Sequence, residues 1–329
     1  MKRTFTVILA LALSVVFSSA ALAADKKLTL KFANVASVSA KDAGVMFKQT
    51  IEKETNGSIT VNLFPDNMLG DDRVAVEGTI MGDIDIAAAA TSPFSALIPD
   101  FYLFDGPFIF LNIEDAYAAM DGPAGEAMLK SMETKGLKGL GFWENGFRNL
   151  TNNKVAARVP GDVKNMKIRT MENSVHLAAW RAFGANPTPM AYTELFTALQ
   201  QGTVDGQENP LGLIDSSKFY EVQKYVSLTQ HVYTPYIVCM NLDKYNSLSD
   251  TQRAAFDKAF KEATVFQRKR SQELEKEILV SLNKFGTVVT ELKPEEKAAW
   301  QKVMHEAKIF DLVKEKMANP KYLDEMRSK

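Results

Sequence analysis

The chain has 329 residues, 46% of them hydrophobic and 24% charged, with a formal net charge of -1. That length allows two domains of about 150 residues, and the apolar fraction supplies a core for each. No basic excess points to nucleic acid, and no acidic block points to a disordered tail.

The N-terminus reads as an export signal. Lys2 and Arg3 precede an apolar run from Phe5 to Phe17, and Ser18-Ser19-Ala20-Ala21-Leu22-Ala23 supplies small residues for cleavage near Ala23. The run is too short for a membrane span, so the mature chain is expected not to be membrane-inserted. Loss of Lys2 and Arg3 takes the net charge from -1 to -3. The one cysteine, Cys239, cannot form an internal disulfide and sits in an apolar stretch that reads as a buried strand.

After the signal, Leu28, Leu30 and Phe32 alternate with polar residues, predicting a strand. Residues 40–55 have helical spacing and stop at Gly57. Ile59, Val61 and Leu63 predict a second strand, 71–81 a second helix, and 84–90 a short apolar strand of the kind buried between helices. This alternation predicts an α/β sheet with parallel pairs. Residues 99–110 carry Phe101, Tyr102, Phe104, Phe108 and Phe110, a cluster suited to core or interdomain packing. Two helices near 113–120 and 122–134 lead to a strand at 137–143, and the first domain is expected to end near Asn145.

The second half repeats the alternation, with a strand at 166–169 and a helix at 175–183. Pro187-Thr188-Pro189 reads as a rigid, non-helical link. A helix at 192–201 follows, then short strands at 204–207, 222–228 and 236–242, the last able to cross back to the first domain. From Asp250 to about Lys284 no Gly or Pro interrupts a helical pattern. At ~1.5 Å per residue it is about 50 Å long, more than one domain, so it is expected to bridge both. Its run Gln267-Arg268-Lys269-Arg270 reads as a solvated face. A strand at 287–290 and a last helix at 294–316 end the chain. With no flexible linker, two domains imply several crossings and a defined hinge.

Catalytic patterns are lacking in the sequence. His176, His231 and His305 are widely spaced, with no His-Glu-x-x-His pair, nucleophile elbow, Cys/His arrangement or phosphate loop. Gly136, Gly139 and Gly141 do not match a dinucleotide fingerprint. Asp71, Asp72, Asp83 and Asp85 lack calcium-loop spacing. No cofactor or metal is expected. The arginines are more informative. Arg169 directly follows Ile168 at the carboxyl end of a predicted strand, where α/β sheets place ligands. Arg148 follows Phe147 at the expected domain border. A guanidinium takes a carboxylate through two parallel hydrogen bonds, which a lysine does not. A cleft for a small organic anion is therefore expected, with Glu172, Glu208 and His176 as the only candidate bases should the protein instead be an exported hydrolase or lyase.

Five segments carry a family resemblance: Leu69-Gly70-Asp71-Asp72-Arg73, Asn145-Gly146-Phe147-Arg148, Met166-Lys167-Ile168-Arg169, the stretch 184–190 (GANPTPM) and the stretch 198–210 (ALQQGTVDGQENP). In these the chain resembles the DctP-type substrate-binding proteins of tripartite ATP-independent periplasmic (TRAP) transporters. The resemblance implies a periplasmic receptor of periplasmic-binding-protein-like α/β fold, with two lobes around a central cleft and a long interdomain helix. It divides the chain into a signal peptide at 1–23, lobe I at 24–145 plus about 235–274, and lobe II at 146–234 plus about 275–329. By motif match it implies Arg169 as the carboxylate clamp, Arg148 assisting it, Asn209 donating a further hydrogen bond and Tyr192 packing on the ligand. Asp71 is added to the ligand-binding set, as is Glu172, which follows the clamp where the ligand's far end would lie and is placed to accept sugar hydroxyls or to repel a second carboxylate, with ordinary solvent exposure as the alternative. The implied partners are a small organic anion and TRAP membrane permease subunits driven by an ion gradient, with hinge closure over the ligand. The small residues at 87–91 (AAAAT) replace an acidic residue of the sialic-acid-binding members, which argues against sialic acid. A sugar acid such as a uronate is favoured. A C4-dicarboxylate, an aromatic or amino-acid-derived acid, and a receptor serving a sensor kinase remain alternatives.

Overall fold

The structure is a computed structural model that describes residues 26–34 and 37–327. The expected signal peptide and its cleavage near Ala23 lie outside the described residues. Strand β1 (Leu28–Ala33) buries Leu30 and Phe32 and exposes Thr29 and Lys31, as its alternation predicts. The helix Val38–Glu54 leads to β2 (Ile59–Phe64), and the helix Asp72–Met81 to β3 (Ile86–Ala89), which is buried along its whole length. β1 pairs parallel with both β2 and β3.

A single strand then joins two halves of the molecule. β4 runs from Leu137 to Asn152 and does not stop at Trp143. Its first part, up to Phe147, pairs antiparallel with β9 (Tyr233–Asn241), which in turn pairs with β3. Its last part, Arg148 to Asn152, pairs with β7 (Gly206–Pro210). β5 (Lys167–Thr170) lies between β7 and β6 (Asn186–Pro189), parallel to both. β8 (Tyr225–Leu228) pairs with the end of β4 and with β10 (Val288–Glu291). The order β2-β1-β3-β9-β4-β7-β5-β6 thus puts a parallel-rich lobe on either side of β4. Where β4 passes from one lobe to the other, its register slips between Glu144 and Gly146. Gly146 takes φ +112, a backbone region that side chains with a Cβ avoid.

The Pro187–Pro189 stretch is a strand and not a link. β6 lies at the edge of the sheet, where a missing N–H breaks no interior ladder. The helix Asp250–Lys284 has the bounds its sequence pattern predicts. Phe256, Ala259, Phe260 and Ala263 pack in the core beneath β1 and β9, whereas Ile278 and Leu282 join Leu195, Leu199 and Val226 in the other lobe. A third core is continuous between the lobes and centres on Phe101, Phe104, Phe108 and Phe110, with Trp180 and Trp300.

The run 267–270 is not solvated throughout: Lys269 is exposed, but its neighbours are buried or half-buried. Gln267 is fully buried. Its Oε1 accepts from the Glu144 amide at 2.6 Å, and its Nε2 donates to the Glu144 carbonyl at 2.8 Å and to Ser39 Oγ at 3.1 Å. Arg268 forks onto Asp121 and covers the Tyr117 ring at 4.5 Å. The last predicted helix breaks at Lys308, which adopts φ +53, into Pro294–Glu306 and Ile309–Lys316. A further helix, Lys321–Met326, follows. None of the described helices is long and apolar enough to cross a membrane.

Candidate functional site

A cavity of about 470 Å³ opens between the lobes, within the range typical of small-molecule sites. All six residues singled out from the sequence line it: Asp71, Arg148, Arg169, Glu172, Tyr192 and Asn209. They come from different elements, so the site exists only once both lobes are folded. Asp71 caps the helix Asp72–Met81, Arg148 lies on β4, Arg169 on β5 and Asn209 on β7, and Tyr192 opens the helix Tyr192–Gln200.

Arg169 is 2% exposed. Its Nε and Nη2 both donate to the Met190 carbonyl, at 3.0 and 2.6 Å, while its buried Nη1 has no hydrogen-bond partner. The Met190 contact holds the Nε–Nη2 edge and leaves the Nη1–Nη2 edge, one of the two that fit a carboxylate. No salt bridge to Arg169 occurs among the described residues. The guanidinium carbon sits 5.9 Å from the centre of the Tyr192 ring, whose hydroxyl is 2.6 Å from Ser217 Oγ. Burial, with repulsion from Arg148, pushes the Arg169 guanidinium down to about 10, so it stays charged at neutral pH.

Arg148 is differently placed. It is fully buried, and its Nε and Nη2 fork onto the Glu208 carboxylate at 2.5 and 2.8 Å. Nη2 also donates to the Glu208 carbonyl at 2.6 Å and to Asn209 Oδ1 at 3.1 Å. Asn209 Nδ2 in turn donates to Gln207 Oε1 at 2.5 Å. Burial alone would raise the Glu208 carboxyl. Arg148 and a 3.0 Å contact with His231 Nε2 hold it well below the usual carboxylate range instead. His176 and Glu208, two of the three candidate bases, do not line the cavity. His176 is pushed down to about 3 by burial and is neutral.

Sequence reasoning missed Asp72, Arg73, Ser92, Asn145 and Tyr236 as cavity-lining residues. The Asp71 carboxylate accepts from the Val74 amide at 3.0 Å and so serves its own helix, while the half-buried Asp72 accepts from the Ala90 amide across the cavity wall at 3.1 Å. Burial pushes the Asp72 carboxyl up to about 6. The turn that orients this pair begins at Gly70, φ +107, where a Cβ would lie 2.5 Å from the Val74 side chain. The signal for Asp72 was its position directly after a helix-capping residue. Asn145 was visible as the start of a matching segment. Its buried Oδ1 has no partner.

A family model described as bacterial extracellular solute-binding protein, family 7, matches residues 31–310. The 2,3-diketo-L-gulonate-binding periplasmic protein of Escherichia coli is 36% identical over 88% of this chain and 88% of its own. The C4-dicarboxylate-binding periplasmic protein of Rhodobacter capsulatus is 34% identical, covering 90% and 89%. The crystal structure of a sugar-acid-binding protein from Advenella mimigardefordensis in complex with galactonate superposes with a TM-score of 0.88 at 35% identity, covering 92% of this chain and 97% of the other.

Proposed function

The chain belongs to bacterial extracellular solute-binding protein family 7, and on that premise we propose that it receives its ligand through a carboxylate gripped by Arg169. The protein is a solute receptor of the TRAP type, not an enzyme, and its ligand is a small organic acid. The observation that carries the assignment of Arg169 is its unpartnered Nη1 in a buried guanidinium that has no carboxylate of its own. Glu208 and Asp72 act on this cation only from a distance; a buried cation without a direct ion-pair partner is costly, and a carboxylate entering the cavity supplies that partner and the missing acceptor together.

The other roles follow from the same geometry. Tyr192 offers its ring beside the clamp and is fixed by Ser217. Arg148 adds positive field but is itself held by Glu208, so it orients Asn209 and the cavity floor more than it grips the ligand. Asp71 and Glu172 line the cavity, one on each lobe. Lobe I is assigned to 24–145 plus about 235–274 and lobe II to 146–234 plus about 275–329, with β4 and the helix Asp250–Lys284 as connections. The chain is assigned to the periplasm after cleavage near Ala23, and a TRAP permease takes the ligand from the closed receptor. Closure over the acid is the expected mechanism.

A thermal-shift screen against organic acids tests the reading, since a ligand at 100 times its Kd stabilises by about 2.7 kcal/mol. A set of aldonates, uronates and dicarboxylates that leaves the melting temperature unmoved would overturn it.

A further inference from the structure

Resting on the organic-acid reading above, we propose that the cleft accepts an acid with one carboxylate and a hydroxylated remainder, and excludes acids with two carboxylates, through Asp72 and Glu172. The argument is the charge inventory of the lining. Three cations face the cavity: Arg73, Arg148 and Arg169. Arg148 is taken by Glu208, with both members of the pair buried. Arg73 is taken by Glu77 at 2.9 Å, and Glu172 and Asp71 also act on it. Only Arg169 is left, and one ligand carboxylate uses it.

The acids are not used up in this way. Asp71, Asp72 and Glu172 line the same cavity, and none has a salt-bridge partner within 4.0 Å among the described residues. The Asp71 carboxylate is occupied as a helix cap. Asp72 comes from lobe I and Glu172 from lobe II, two residues after the end of β5. Neither is held in an ion pair, although Arg169 and Arg148 act on Asp72 from a distance and Arg73 on Glu172. A second ligand carboxylate would meet like charge and, once Arg169 is used, no lining cation free of an ion pair, the arrangement by which binding sites reject wrong partners. A hydroxyl donates to either carboxylate, so a polyhydroxy chain satisfies what a second acid group offends. The apolar share of the wall (Val76, Ala90, Pro93, Ala96 and Leu97) offers no compensating charge.

The test compares two acids of equal chain length. Titration calorimetry of the chain lacking residues 1–23 is done with D-erythronate and succinate, and D-galactonate checks length. Erythronate or galactonate is expected to bind at least tenfold more tightly than succinate. Succinate binding as tightly as either overturns the exclusion and leaves the organic-acid reading intact. Failure of all three acids to bind overturns the present proposal, and the wider thermal-shift set then decides the organic-acid reading separately. In the Asp72→Asn/Glu172→Gln double variant the affinity for succinate is expected to rise at least tenfold, a gain that loss of fold cannot produce. Glu172→Gln alone, at an exposed position, is expected to raise it in the same direction. An unchanged preference in both variants overturns the assignment to these two residues.

Discussion

Arg148 and Glu208 form a fork in which two nitrogens of one guanidinium meet two oxygens of one carboxylate at 2.5 and 2.8 Å, with neither side chain more than 1% exposed. The pair joins β4 to β7 at the point where the two strands run side by side. Removing one charge from such a pair leaves the other buried and uncompensated, at a cost of about 3–5 kcal/mol. Glu208→Gln is expected to lower stability by that amount in urea denaturation at pH 7, and a loss below about 1 kcal/mol would show that the fork is dispensable.

The same pair sets a pH dependence. The Glu208 carboxyl is held below its ordinary 4.5 in the folded state, so its stabilisation is fully present above that value and is lost as pH falls through the lower folded value. The stability gap between the wild type and Glu208→Gln is therefore expected to shrink as pH drops below about 4.5. Asp105 works in the opposite sense. Burial pushes its carboxyl up to about 6 despite hydrogen bonds from Ser95, Thr91 and Asn173, so the native state binds more protons between 3.8 and 6 and gains stability as pH falls through that window. Denaturation curves at pH 7, 5 and 3.5 separate the two.

Arg169→Ala is expected to weaken binding of a cognate acid by roughly 3–5 kcal/mol, because the ligand carboxylate is then buried without its partner. Arg169→Lys is expected to recover only part of this loss. An ammonium supplies charge, but it cannot hold the Met190 carbonyl along one edge while presenting a flat pair of donors along another. Calorimetry in which the lysine variant binds like the wild type would remove the geometric part of the argument.

Gly146→Ala is expected to cost about 1–3 kcal/mol through backbone strain at φ +112. The added Cβ itself has room, with its nearest neighbours at 3.6 and 3.8 Å, so the loss is conformational and not steric. Thermal unfolding that matches the wild type would mean the bulge relaxes without cost.

Gln267→Leu keeps the volume and removes three hydrogen bonds, two of them to the backbone of Glu144. Each polar group left unpaired in the interior costs about 1–3 kcal/mol. A clear fall in the denaturation midpoint is expected. The neighbouring exposed change Lys269→Leu should leave the midpoint nearly unmoved.

Much of this molecule was readable in its residues, for physical reasons that can be named. Strand β1 and the helix Asp250–Lys284 announce themselves through local periodicity, and Arg169 through its place after a short apolar strand. What was not readable depended on partners distant in sequence. Nothing local tells that Glu144, Asn145 and Gly146 lie inside a strand, since their pairing to Thr234 and Pro235 is made some 90 residues away. The two prolines of β6 look like a break unless the strand is known to be at an edge. Gln267 and Arg268 look solvated until Glu144 and Asp121 are brought against them. Asp72 was hidden by its neighbour, because the choice of which aspartate caps the helix and which faces the cavity is made by the turn at Gly70.

Gln267 is the central residue of the helix Asp250–Lys284, with seventeen residues on either side, and it grips the peptide groups on both sides of Glu144, where β4 begins to change register. A stiff rod fastened at its midpoint behaves as a balance beam. Any rotation of one lobe against the other tips its two arms in opposite senses, and the displacement is greatest at the tips, some 25 Å from the pivot by the rise of about 1.5 Å per residue. An event inside the cleft is thereby magnified at two remote places on the outside, near Asp250 and near Lys284, where a probe attached to the surface would register whether the chamber is filled.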